Sequence, residues 1–193
     1  MNKEALLKII FVFILCMLCT TGYAQSNERD ALSVRSNIDI TQLENKIHTL
    51  LNREREKRGL SALLWDERLH KVARKHSQAM VDWNFFSHND PDRRNFQDRY
   101  KAGGIECKIL IGDIVYMGGE NISQDNLYSS YVYKGGEIVF NWNSESEIAE
   151  SVVKRWINSE GHRANILTRY FHRQGIGIAV SADGKIYVTE NFC

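Results

Sequence analysis

The sequence predicts an α+β domain in which helices cover an antiparallel sheet, and three observations carry that expectation. Apolar residues recur at three- and four-residue intervals in three separate stretches, near 40–56, 66–86 and 144–158. The chain closes on two alternating apolar segments, 176–181 and 185–192, joined through Ala182-Asp183-Gly184, a hairpin signal. Between these, β-branched and aromatic residues concentrate from Cys107 to Ser123.

Each element has its own signal. Asp39 introduces the first helix, with Gln42 placed for a capping box, Gly59 as the stop, and Ile40, Leu43, Ile47, Leu50 and Leu51 on one face. The second helix begins near Asp66, buries Leu69, Val72, Ala73, His76 and Met80, and is expected to end close to Phe86, which leaves His88 in the loop that follows. Asn89-Asp90-Pro91-Asp92 is a turn by composition, and 95–102 a short helix stopped by Gly103-Gly104. Glu120 follows a glycine pair in a strand. The segment 123–143 yields only strand fragments, Tyr131-Val132-Tyr133 and Ile138-Val139-Phe140, around Gly135-Gly136. Helix returns at 144–158, where Glu145 and Glu147 suit the positive end of the dipole, and a short helix covers 162–167. His76 reads as a core or boundary histidine, His48 and His70 as exposed, and His172 as a cap before the terminal hairpin. Arg53 to Arg58 reads as a solvated helix face, with Glu54 and Arg58 as an i,i+4 pair.

Lys3 and Lys8 precede the apolar run Ile9 to Leu18, and Gly22-Tyr23-Ala24 offers small residues for cleavage. Residues 1–24 therefore read as a signal peptide, 25–38 as a flexible leader and 39–193 as one domain. The apolar run is short for a bilayer, so the product is expected to be secreted, in the periplasm or outside the cell, and not membrane-spanning. The first 24 residues hold two of the 25 basic and one of the 24 acidic side chains, so the remainder is balanced near zero. That balance argues against a nucleic-acid partner, which calls for a clustered basic surplus. Cys107 and Cys193 remain beyond the signal; an oxidising compartment lets them pair, and free thiols are the alternative.

The last strand holds an anomaly. By the two-residue period Ile186, Val188, Glu190 and Phe192 share one face, which sets a carboxylate among apolar side chains. Either Glu190 looks into a polar cleft or meets a cation, or the strand end lets it reach solvent.

Four groups of residues resemble a known family. They are Asn52, Arg55, Gly59, Leu63, Trp65-Asp66 and Leu69; Phe86-Ser87-His88 with Pro91-Asp92; Gly119-Glu120-Asn121-Ile122; and the run from Trp156 to Leu167 that contains Gly161-His162-Arg163-Ala164-Asn165-Ile166. Together they are similar to the CAP superfamily, the SCP-like group of cysteine-rich secretory proteins, venom antigens and class 1 pathogenesis-related proteins, in its bacterial secreted branch. The resemblance implies a three-layer α-β-α sandwich with an open cleft, where two histidines and two glutamates meet in many members. His88, Glu120 and His162 match three of these positions. Ser159 stands where eukaryotic members carry the second glutamate, and Glu160 or Glu190 is the candidate substitute, with Glu190 favoured by the strand alternation.

Two imidazoles with carboxylates suit zinc or another divalent cation, so His88, His162, Glu120 and Glu190 are the candidate metal ligands. Such an ion can acidify a bound water. Beyond the expected signal the chain has no His-Glu-x-x-His helix, no Gly-x-Ser-x-Gly elbow and no Cys-x-x-Cys pair. Three functions follow. The first is a binding module whose cleft takes a small ligand, lipid, peptide or cell-envelope component. The second is a metal- or His/Glu-assisted, peptidase-like hydrolase, with His88 or His162 as base and Glu120 orienting it. The third is an envelope-assembly factor docking through Tyr128 to Tyr133. The missing glutamate favours binding, because a cleft tolerates a changed corner better than a reaction does.

Overall fold

The computed structural model describes residues 38–193; the expected signal peptide, 1–24, and the leader up to residue 37 lie outside the described residues. A sheet of order β1-β7-β8-β4 forms the middle layer, from β1 (Leu64–Trp65), β4 (Gly119–Asn126), β7 (Arg173–Val180) and β8 (Lys185–Phe192). β1 joins β7 in parallel and the other pairings are antiparallel, as the terminal hairpin predicted. Helix α1 (Ile40–Glu56) packs on α4 (Glu145–Asn158) over one face, and α2 (Glu67–Asp82) covers the other. This is the expected α-β-α layering.

The Asp39 cap was legible, and the structure adds two more. Asp39 Oδ1 accepts from the Gln42 amide at 2.9 Å, and Ser144 closes a capping box with Glu147. Asn95 and Asp98 do the same for α3 (Phe96–Ala102). Leu43, Ile47 and Leu51 of α1 meet Ile148, Val152 and Trp156 of α4, and Ile176, Ile178, Ile186, Val188 and Phe192 rise from the sheet into the same core. Ile38 already packs against it.

On the other face, helix and sheet touch through glycine. A Cβ on Gly175 would lie 2.0 Å from the His70 amide nitrogen, and one on Gly177 2.0 Å from that of Arg74. The absence of side chains lets the α2 backbone lie directly on β7. Ser77 Oγ donates to the Gly177 carbonyl at 2.8 Å and seals the contact.

Several expectations are corrected. α2 ends at Asp82 and not near Phe86, because Asn84 takes a left-handed conformation (φ 48°) and the Phe85 amide turns back to the Met80 carbonyl at 3.1 Å. His70 is buried, with Nδ1 2.6 Å from the Ile176 carbonyl. His48 is half-buried, 2.6 Å from the Gln174 amide. Glu54 and Arg58 do pair, at 2.7 Å, yet Arg55 in the same run is 1% exposed. The stretch 123–143 finishes β4 and then forms a two-stranded ribbon, β5 (Tyr128–Lys134) with β6 (Glu137–Trp142), turning on Gly135 and Gly136, both at positive φ. A second small ribbon pairs β2 (Ile109–Ile111) with β3 (Ile114–Tyr116). Cys107 and Cys193 form a disulfide that ties the segment before β2 to the end of β8.

Candidate functional site

β4 is an edge strand, and its pairing with β8 sets Glu120 opposite Asn191 and Asn121 opposite Glu190. Opposed residues share a face, while neighbours along a strand do not. Glu120 therefore looks toward the α2 layer with Asn191 and Gly175, and Asn121 toward the α1 and α4 layer with Glu190 and Ile176.

The Glu120 carboxylate is 1% exposed and fully engaged. His88 Nδ1 stands 3.0 Å from Oε1, and Arg99 Nη2 donates to Oε2 at 2.6 Å. The orientation of the Asn191 amide that satisfies both its atoms adds a donor to Oε2 at 3.2 Å. Against a carboxylate His88 Nδ1 carries the hydrogen, which leaves Nε2 as the outward atom of a ring that is 51% exposed. Arg99 also holds the loop through Nη1, which donates to the carbonyls of His88 at 3.0 Å and Arg94 at 2.8 Å.

His162 arrives from the other layer, on α5 (Glu160–Ile166). Three side chains fasten the outer edge of β4: Asn165 Nδ2 donates to the Glu120 carbonyl at 3.1 Å, Trp156 Nε1 to that of Ile122 at 3.0 Å, and Arg155 Nη1 to that of Gln124. These bonds cap carbonyls that an edge strand would otherwise leave open. Asn121 completes the seam, donating to the His162 carbonyl at 3.2 Å, while its Oδ1 accepts from Asn165 at 2.9 Å. The His162 ring lies 6.5 Å from Trp156, and its Nδ1 is buried without a partner among the described residues. Burial lowers its pKa, and the charge of nearby His88 lowers it further.

His88 and Glu120 are thus in direct contact. Glu190 does not join them. It is 0% exposed on the opposite face, with Oε2 accepting from Asn121 at 3.2 Å. Burial pushes its carboxyl well above the ordinary range, against the pull of the Asn121 hydrogen bond and the Arg55 charge. Glu160 is exposed on the first turn of α5, and Ser159 makes no side-chain cap there. As a donor set for a divalent cation the four candidates are not brought together: Glu190 is buried on the opposite face, and Arg99 already pairs with Glu120. Among the described residues no group of three or more His, Cys, Asp or Glu side chains is disposed to hold a metal ion.

The profile of CAP, the cysteine-rich secretory protein family, matches residues 48–192. The chain belongs to this family. Among curated relatives, the CAP domain described here is 36% identical over 151 residues to the uncharacterized protein YkwD of Bacillus subtilis (strain 168), covering 78% of this chain and 47% of that one. It is 32% identical over 152 residues to the uncharacterized membrane protein YlbC of the same organism, covering 79% and 34%. The chain thus spans less than half the length of the curated relatives it matches. An extracellular SCP-domain protein of Bacillus anthracis str. Ames superposes with a TM-score of 0.58 at 28% identity, covering 79% of this chain and 40% of the other. An outer surface protein of Borrelia burgdorferi gives 0.59 at 15% identity, covering 80% and 94%, a likeness of fold. Among the described residues no helix is long and apolar enough to cross a membrane.

Sequence reasoning missed the residues that hold this CAP site together. Asn121 and Asn165 lie inside the motifs that carried the resemblance, so their positions were visible though their roles were not. Arg99 had no signal beyond being one basic residue on a short helix. Arg55, read as part of a solvated run, donates to the carbonyls of Ser61 at 2.9 Å, Ile166 at 2.6 Å, Thr168 at 3.0 Å and Phe171 at 3.4 Å.

Proposed function

We propose that this CAP domain is an extracytoplasmic binding module whose ligand meets His88 and His162 beside the β4 edge, with Glu120 and Arg99 as the support behind them. One observation carries the reading: Glu120 is buried and its two oxygens are spent on His88 and Arg99. It orients an imidazole, and the Arg99 guanidinium on its other oxygen disfavours a cation beside it. His88 Nε2 is then an acceptor for a ligand hydroxyl or amide, as a peptide or cell-envelope fragment would offer. The extracellular description of the Bacillus anthracis relative supports the compartment, and the disulfide suits an oxidising one.

The runner-up is hydrolysis, favoured by the same carboxylate-held imidazole, which resembles a general base with its orienting partner. Arg99 weighs against it: a guanidinium at 2.6 Å neutralises the carboxylate that would stabilise a protonated His88. Purified protein is to be titrated by calorimetry with peptidoglycan fragments, with and without zinc, and incubated with peptide, ester and peptidoglycan substrates. Binding that persists without zinc and is lost in His88→Ala is expected. Zinc-dependent turnover abolished by His162→Ala overturns the binding reading.

A further inference from the structure

Among the described residues the strands of the β5–β6 ribbon pair only with each other. A lone two-stranded ribbon is marginal in water, and further strands steady it. Apolar side chains stand exposed on both of its faces. Tyr131 and Tyr133, 49% and 73% exposed, share one face, and Val132 and Val139, 58% and 47% exposed, share the other.

The turn fixes which backbone groups point out of the ribbon. Gly135 and Gly136 have φ of 63° and 87°, as a type I′ turn requires, and Lys134 pairs with Glu137 across them. In such a turn the closing pair exchanges its own backbone hydrogen bonds. Along β5, Lys134 and Val132 therefore turn their N–H and C=O toward β6, and Tyr133 and Tyr131 turn theirs outward. The root of the ribbon agrees: the Asn143 amide donates to the Leu127 carbonyl at 2.8 Å, which brings Asn141, Val139 and Glu137 to the inward side by the same alternation. No backbone group of Tyr131 or Tyr133 has another partner among the described residues.

We propose that the β5 edge is the contact surface for a second copy of this chain, paired antiparallel about a two-fold axis through Val132. In that register Tyr131 faces Tyr133 of the second copy, and Tyr133 faces its Tyr131. Each such pair exchanges two hydrogen bonds, so every outward group of these residues is satisfied. Val132 meets Val132 of the second copy on the axis, as a non-hydrogen-bonded pair with Cβ atoms roughly 5 Å apart. Opposed residues share a face, so the tyrosines of both copies join on one side of a four-stranded sheet. β6 offers the poorer edge, because its outward residue Phe140 is 8% exposed.

Charge favours a second copy over other occupants. Residues 128–133 carry no charge, and Lys134, beside its own Glu137, falls opposite Ser130 of the second copy. At the root Lys185 comes near Tyr128 but is paired with Asp183 at 2.6 Å. Both ends of the edge are thus balanced, and no like charges meet. A charged polymer finds no net charge to match, and insertion into a bilayer would bury Lys134 and Glu137 at the tip. A bulge between Tyr128 and Ser130 ends the regular edge toward the root. The contact is therefore smaller than the ~800 Å² per partner of a standard interface, and the association is weak.

The test is sedimentation equilibrium of the purified protein from about 10 μM to about 1 mM. The mass is expected to rise toward twice that of the monomer. Val132→Lys and Val132→Glu each set like charges on the axis and are expected to weaken association roughly tenfold or more. Their equimolar mixture sets Lys against Glu and is expected to restore it. His88→Ala removes the site proposed above and is expected to leave association unchanged, so the two readings fail separately. The proposal is overturned if the parent stays monomeric throughout, if either charged variant associates like the parent, or if the mixture stays monomeric. A monomer that instead sediments with phosphatidylcholine vesicles or with peptidoglycan assigns the ribbon to a lipid or a glycan, and overturns it equally.

Discussion

Asn121 and Glu190 stand opposite each other across the β4–β8 pair, and the amide of one donates to the carboxyl of the other at 3.2 Å. The same Asn121 amide reaches the His162 carbonyl, so a fully buried acid is linked to the His162 backbone through two hydrogen bonds and one side chain. Glu190 thus contributes by holding Asn121, and contact with a ligand is closed to it.

Its titration should be visible in stability. Burial raises the folded pKa of Glu190 well above the ordinary value of 4.5. Over that interval the folded state binds the proton more tightly than the unfolded chain. The stabilisation is complete below about pH 4.5 and is lost as pH rises through the folded value. Glu190→Gln, which keeps the acceptor without the charge, is expected to flatten this decline. Melting temperatures of the two proteins across a pH series check it; parallel profiles at neutral and alkaline pH refute it.

Arg55 should be intolerant of replacement. Its guanidinium serves four carbonyls, three of them in the chain from Ile166 to Phe171 that leaves α5. Arg55→Met retains bulk but strands buried acceptors, each costing roughly 1–3 kcal/mol. A loss on the order of 3 kcal/mol in urea denaturation is expected, and a loss below about 1 kcal/mol would show the carbonyls finding other donors.

The seat of α2 on β7 predicts a severe effect from a single methyl group. Gly177→Ala places a carbon 2.0 Å from the Arg74 nitrogen, against backbone that cannot swing aside. Overpacking of this kind costs about 1–3 kcal/mol or more. Gly161→Ala, with open space around its Cβ position, is the control and should melt close to the parent. Circular dichroism melts of both variants decide it.

The disulfide joins residues 86 apart in sequence. Closing a loop of that length in the unfolded chain is worth roughly 4–5 kcal/mol in the chain-entropy relation. Cys193 also receives the His172 and Arg173 amides on its carbonyl, both at 2.8 Å, so the end of β8 retains other anchors. Reduction is expected to lower the unfolding free energy by about that amount while the far-ultraviolet spectrum at 25 °C stays folded. Loss of the spectrum on reduction alone would mean that the bond, and not the sheet, holds the terminus.

Periodicity was enough for the helices and the terminal hairpin, because an amphipathic element writes its buried face into its own residues. Asp39 announced its helix through a local bond that spans three residues, while the capping boxes of Asn95 and Ser144 emerged only in the structure. The ribbon of β5 and β6 was harder, since its exposed aromatics follow no core-facing alternation. The end of α2 was misjudged because Asn84 stops it by a backbone conformation that composition does not encode.

The sequence by itself determined the layers, the Asp39 cap and, through the resemblance, the family. Tertiary structure decided what Glu190, Arg99 and Arg55 do. The alternation rule placed Glu190 on the apolar face correctly, but which layer that face meets depends on how β4 pairs with β8, a register set by residues some 70 positions apart. Arg55 and Arg99 likewise take their partners from chain that is distant in sequence or irregular in shape. Electrostatic partnership forms through space, and a linear reading sees only neighbours along the chain.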